Sequence, residues 1–128
     1  MGYYFSKIIQ CDFETAENRL REALAKEGLG VIMEIDFQEK IKEKLGVDFR
    51  KYKILGACSP SYAYRSIREE DKIGILLPCN TIVQQLNENE CEVAVVDPEG
   101  AMIAVTNEEV RCIGGEMRVK LKKVIEAV

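Results

Sequence analysis

Apolar positions along the first third of the chain change period three times. Tyr3 to Gln10 is aromatic and β-branched, the composition of a strand. From Phe13 the apolar residues recur at Ala16, Leu20, Ala23 and Leu24, the spacing of one buried helix face. Asp12 stands where it can cap the free amides of that helix, and Gly28 supplies the stop. Leu29 to Ile35 reads as a strand again. Asp36, with Glu39 three residues later, makes a capping-box-like start for a short helix expected to bury Phe37, Ile41 and Leu45 and to end at Gly46.

Tyr52 to Cys58 is a further strand. Ser59-Pro60 then fits a helix start, because serine caps free amides and proline at the first helical position has no amide to lose. This helix is expected to reach about Glu69, with Tyr62, Ala63, Ser66 and Ile67 inward and Tyr64, Arg65 and Arg68 outward. Ile73 to Leu77 is a continuously apolar run of buried-strand character, broken at Pro78 and resumed from Thr81 to Leu86 as a second strand or a bulged continuation. Asn87 to Glu90 is a turn, Cys91 to Val96 pairs back as a hairpin, and Asp97-Pro98-Glu99-Gly100 is a second turn. From Thr106, with Glu109 completing a capping box, the last helix carries Val110, Gly114, Met117, Leu121, Val124 and Val128 in a heptad stripe. That stripe suits a helix lying on a sheet or one pairing across a dimer. Gly114-Gly115 points either to close backbone contact or to a break in the helix.

The elements predict an α+β fold: one domain over residues 1–128, with three to four helices packed on a mixed, largely antiparallel sheet. A chain of 128 residues has room for one core. Its 31% charged residues lie in no low-complexity run, and 18 basic against 22 acidic residues leave a net charge of −4, no footprint for a nucleic acid backbone. The absence of histidine removes His-based general base catalysis and every histidine-containing metal site. Five cysteines, an odd number without a Cys-x-x-Cys, argue against a secreted disulfide framework. With no apolar run of signal-peptide or membrane-spanning length, the expectation is a cytoplasmic protein with reduced thiols and no membrane partner. Met1-Gly2-Tyr3-Tyr4-Phe5-Ser6 formally fits an N-myristoylation pattern, but its aromatic residues read better as the first strand of the core.

Chemistry concentrates at two turns, Gly56-Ala57-Cys58-Ser59-Pro60 and Leu77-Pro78-Cys79-Asn80. A thiol at a helix N-terminus meets unpaired amides that favour the thiolate, which makes Cys58 the better reactive candidate. A short right-handed crossover through the intervening helix would make the strand of Cys79 a neighbour of the strand of Cys58. Several readings follow: a small-anion site at Cys58, Ser59 and Pro60 assisted by Arg65 or Arg68, with Pro78, Cys79 and Asn80 beside it; a two-thiolate site for a soft ion such as Cu(I); or a thiol nucleophile or redox centre. The alternative is that both cysteines are small buried residues in tight turns. No Gly-rich phosphate loop occurs, no cofactor is called for, and Glu14, Glu17 and Glu22 read as the solvated face of the first helix.

These two turns, together with Ala63, Gly74 and Asp97-Pro98, resemble the bacterial and archaeal family called domain of unknown function 302. Phe13, Leu20, Ala23-Leu24, Gly28-Leu29-Gly30-Val31 and Ile35-Asp36 fit its first half, so the likeness covers nearly the whole chain. Ser59 stands where the family often has asparagine, and Leu29 where it often has phenylalanine. The resemblance implies a compact, dimeric α+β domain and implies no reaction. Three function classes stay open: a binding module for a small anion or soft metal ion, a thiol-dependent enzyme or redox protein, and a structural or regulatory interaction domain without ligand.

Overall fold

A computed structural model describes residues 2–128; Met1, and with it the start of the myristoylation pattern, lies outside the described residues. The chain runs β1 (Tyr4–Ile9), α1 (Phe13–Lys26), β2 (Gly30–Asp36), α2 (Phe37–Leu45), β3 (Tyr52–Cys58) and α3 (Pro60–Glu69). A 3-10 turn (Asp71–Leu76) leads to β4 (Cys79–Asn87), β5 (Glu90–Val96), the short α4 (Pro98–Ala101) and α5 (Glu108–Ala127). The five strands form one sheet in the order β1-β5-β4-β3-β2. The α+β class therefore stands.

All four strand pairings are antiparallel. The strands of Cys58 and Cys79 are neighbours as expected, but α3 is not a crossover between parallel strands. It is the body of an excursion that returns the chain in the opposite direction. The run Ile73 to Leu77 forms most of that return rather than a strand: only Ile73 is buried, and Ile75 is 83% exposed. A short apolar run carries no period of its own, and the 3-10 turn needs just one of its side chains inside.

One face of the sheet holds the core. Leu55, Val83, Cys91, Val93 and Val95 point to it and meet Leu20 and Leu24 of α1 and Met117, Leu121 and Val124 of α5. Each such aliphatic side chain, fully buried, contributes about 1.5–3 kcal/mol. The α1 boundaries follow from their caps: Asp12 Oδ1 accepts from the Thr15 amide at 2.8 Å, and the Gly28 backbone, at φ 75°, lets the Leu29 amide reach back to Leu24 O at 2.9 Å. Glu17 is not the solvated carboxylate of the sequence reading. It accepts from Lys53 of β3 at 2.9 Å and pairs with Arg21, and although its partial burial pushes its pKa up, these hydrogen bonds outweigh that and hold it below the ordinary value.

Three other expectations change. The α2 helix starts at Asp36 as predicted but buries none of its residues, leaving Leu45 72% exposed, because it flanks the corner of β2 and β3 instead of lying on the core. In α3, Ser66 is buried, Tyr62 and Ala63 are partly so, and Ile67 faces out. The last helix is capped by Asn107, whose Oδ1 accepts from the Val110 amide at 3.2 Å, not by Thr106, and it runs unbroken through Gly114-Gly115. Its stripe is spent within the monomer: Val110, Gly114, Met117, Leu121, Val124 and Val128 are all buried.

Candidate functional site

The β3 strand ends at Cys58, Ser59 occupies the N-cap of α3, and Pro60 opens the helix. The Ser59 hydroxyl makes no capping bond; the Ala63 amide bonds instead to the Ser59 carbonyl at 3.0 Å. On the return, the cis Leu77-Pro78 peptide delivers the chain to Cys79 as the first residue of β4. Ala57 pairs with Cys79, so Cys58 stands one step off register from it. The ladder spacing, about 5 Å across and about 3.3 Å along, sets the two Cα atoms about 6 Å apart, inside the roughly 7 Å limit for a disulfide.

Ideal pleating would send the two side chains to opposite faces. Because β3 terminates at Cys58, both instead line one small cavity between the sheet end, α3, α4 and α5. Its volume is about 30 Å³. That space holds an ion or a water or two, whereas sites for organic ligands run to about 300–1,000 Å³. Apart from Ser59, Ser66 and Tyr62 its lining residues carry no oxygen-bearing side chain, and four sulfur-bearing residues line it: Cys58, Cys79, Met102 and Met117. A Cβ added at Gly114 would lie 3.4 Å from Met102 Sδ, so the glycine is the wall against which that sulfur rests.

Burial, with the Cys58 sulfur as a second and smaller influence, pushes the Cys79 thiol up to about 11. At neutral pH it therefore keeps its proton and is not an activated nucleophile. No carboxylate or ammonium group lines the cavity. Of the residues singled out by sequence, Cys58, Ser59, Pro78 and Cys79 come together here. Pro60, Arg65 and Asn80 do not line it: Arg65 donates to Glu116 at 3.0 Å, and Arg68 lies over the Tyr64 ring. Sequence reasoning missed the two methionines. Met117 was visible only as one member of the α5 stripe, and Met102 lies in no periodic pattern at all.

A second thiol pair was also hidden by its spacing. Cys91 is buried and donates weakly to the Cys11 carbonyl at 3.5 Å, and burial, with the Cys11 and Asp12 charges behind it, raises its pKa. Cys112 is exposed. Among the described residues no group of three or more Cys, Asp or Glu is placed to hold a metal, so the further soft donors beside the Cys58–Cys79 pair are the thioethers.

Gly56 sets the height of this turn. A Cβ there would stand 2.7 Å from Pro78 Cγ and 3.2 Å from Met33 Cβ. Gly56→Ala is expected to destabilise the domain by about 1–3 kcal/mol, the usual overpacking range, and to displace the Pro78-Cys79 turn. Urea unfolding of the two proteins, with alkylation of Cys79 as a local readout, measures both effects; equal stability and equal alkylation would show that the turn has room to spare.

The model of the family described as Domain of unknown function DUF302 matches residues 5–128. The chain belongs to this family. The crystal structure of an uncharacterized conserved DUF302 protein from Bacillus stearothermophilus is similar to it, with a TM-score of 0.89 at 25% sequence identity over 99% of this chain and 98% of that one. No curated protein matches. The DUF302 assignment fixes the fold and leaves the chemistry of the cavity to its own residues. Among the described residues no helix is long and apolar enough to cross a membrane.

Proposed function

We propose that this DUF302 domain holds one soft monovalent cation of the Cu(I) type, bound by the Cys58 and Cys79 thiolates and supported by the Met102 and Met117 thioethers. The observation that carries this reading is the meeting of four sulfur-bearing side chains at an apolar cavity of about 30 Å³. Thiolate and thioether donors select Cu(I) over harder ions, and the space matches an ion. The small-anion reading has less support, since Arg65 is engaged with Glu116 and the apolar cavity offers an anion little solvation. A cytoplasmic location fits the same reading, because reduced thiols and Cu(I) both require a reducing compartment.

Anaerobic titration of the reduced domain with Cu(I), against a chelator of known affinity, is expected to give one tightly bound ion per chain. Met102→Leu and Met117→Leu, which keep the packing volume, should each weaken binding about tenfold, at the lower end of what changes around a metal site produce. Binding that ignores both thioethers, or a stoichiometry that persists without Cys58 and Cys79, would place the ion elsewhere. A second reading rests on the strand register. An oxidised disulfide such as oxidised glutathione, attacked by one thiolate of the pair, would release its two halves as thiols and leave a Cys58–Cys79 bond. Mass spectrometry after such treatment separates the readings: rapid loss of two hydrogens at this pair favours the redox role.

A further inference from the structure

The second face of the sheet points to a partner. Its outward residues form three rows across the strands β1, β5, β4, β3 and β2. They read Tyr4-Val96-Asn80-Gly56-Met33, then Ser6-Ala94-Ile82-Ile54-Ile35, then Ile8-Glu92-Gln84-Tyr52. Antiparallel sheets with one solvated face ordinarily carry polar residues there. These three rows hold a single charged residue, Glu92, and the central row holds none. Tyr4, Ile8 and Met33 are 52%, 53% and 47% exposed. The core-forming helices α1 and α5 lie on the opposite side, and α2 with the loop after it reaches this face at one corner only, where Phe37 and Phe49 pack on the Tyr52 ring.

We infer that this face is covered by a second copy of the same chain, packed sheet to sheet about a twofold axis along β4. Such an axis sets β5 of one copy opposite β3 of the other and β1 opposite β2. Tyr4 then meets Met33, Ile35 meets Ser6, Ile54 meets Ala94, and Ile82 on the axis meets its own copy. Glu92 comes opposite Tyr52 and the neighbouring Arg50. The Arg50 guanidinium already lies over this face, donating from Nε to Gln84 Oε1 at 2.9 Å, while Gln84 in turn donates to Glu92 at 2.8 Å. The cation and the anion therefore stand on the two sides of the axis, the arrangement a self-complementary interface requires. An axis across the strands would set Glu92 against Val96 and lose this match.

Size agrees. Five strands about 4.8 Å apart and three rows about 7 Å apart give about 500 Å² in plan. That lies close to the lower end of the roughly 600–1,000 Å² per partner of a specific dimer. The buried α5 stripe removes the competing interface suggested by the sequence.

Sedimentation of the full chain tests the inference. The wild-type chain is expected to run near twice 14.5 kDa at micromolar concentration. Ile82→Glu should give a monomer with an unchanged circular dichroism spectrum. Glu92→Arg and Arg50→Glu should each raise the dimer dissociation constant at least about tenfold through like-charge contact. Mixing these two single variants should restore dimers to near wild-type strength. Only in the heterodimer does the arginine introduced in one chain face the glutamate introduced in the other, while the native Arg50 and Glu92 face each other across the axis. No contact within one chain produces that rescue. A chain monomeric at about 100 μM, a dimer indifferent to Ile82→Glu, or a mixture no stronger than its components overturns the inference. A monomer whose apolar-dye binding is abolished by Ile82→Glu also overturns it, because the face is then open in solution.

Discussion

Cys79→Ser is expected to lower Cu(I) affinity by at least a factor of about 100, above the roughly 10–100-fold that changes around a metal's ligands produce. Cys58→Ser should match it, while Cys112→Ser and Cys11→Ser should leave the affinity unchanged, since neither residue lines the cavity. The sign of the pH dependence follows from the Cys79 thiol, which burial raises to about 11. Cu(I) must displace that proton, so affinity is lowest in acid and rises at least about tenfold per pH unit until the thiol ionises unaided. Chelator competition at a series of pH values measures this directly. A flat profile would mean that Cys79 is not a ligand, and an unchanged affinity in Cys79→Ser would return the cavity to a packing role.

The second large effect is expected at a distance from the sulfurs. Asp97 is buried between β5 and α4; it accepts from the Glu99 amide at 3.1 Å and from Arg118 Nε at 3.2 Å. Arg118 comes from α5 and spreads over the Phe5 ring, tying α4, and with it Met102, to the helix that supplies Met117. Arg118→Ala leaves a buried carboxylate with one remaining backbone donor, and a loss of about 3 kcal/mol is expected. Denaturant midpoints establish it, with Arg118→Lys recovering part of the loss. If Arg118→Ala unfolds with wild-type stability, the Asp97 carboxylate finds sufficient partners without the guanidinium.

Legibility in the sequence followed the range of the causes. The α1 helix was readable because its period and both ends are written within residues 12–28. The α3 start was readable because proline acts on its own backbone, although the Ser59 hydroxyl forms no cap. Cys58 and Cys79 were marked by adjacent prolines, and their strands are neighbours, though antiparallel. What failed was whatever depends on distant packing. Ile73 to Leu77 is apolar but is needed inside at one position only, and Leu45 continues a helical stripe that no other element covers. Met102 reaches the cavity through a one-turn helix whose sequence, Asp97-Pro98-Glu99-Gly100, is also that of a turn. The outer sheet face was hidden for a related reason: Ile54 and Ile82 sit in strands apolar on both sides, and only the register tells which isoleucines share a row.

That register has a consequence for how the protein is made. Its first strand has just one partner, and the partner is its last: Tyr4 is bonded beside Val96 and Ile9 beside Cys91. As the chain leaves the ribosome, β1 waits unpaired until some ninety further residues have followed it, while the β4–β5 hairpin closes as soon as it emerges. Cys58 and Cys79 are both outside by then, and Met117 and the rest of α5 are not. The two thiols therefore leave the ribosome before the helix that shelters them exists, and stand open to solvent for that interval.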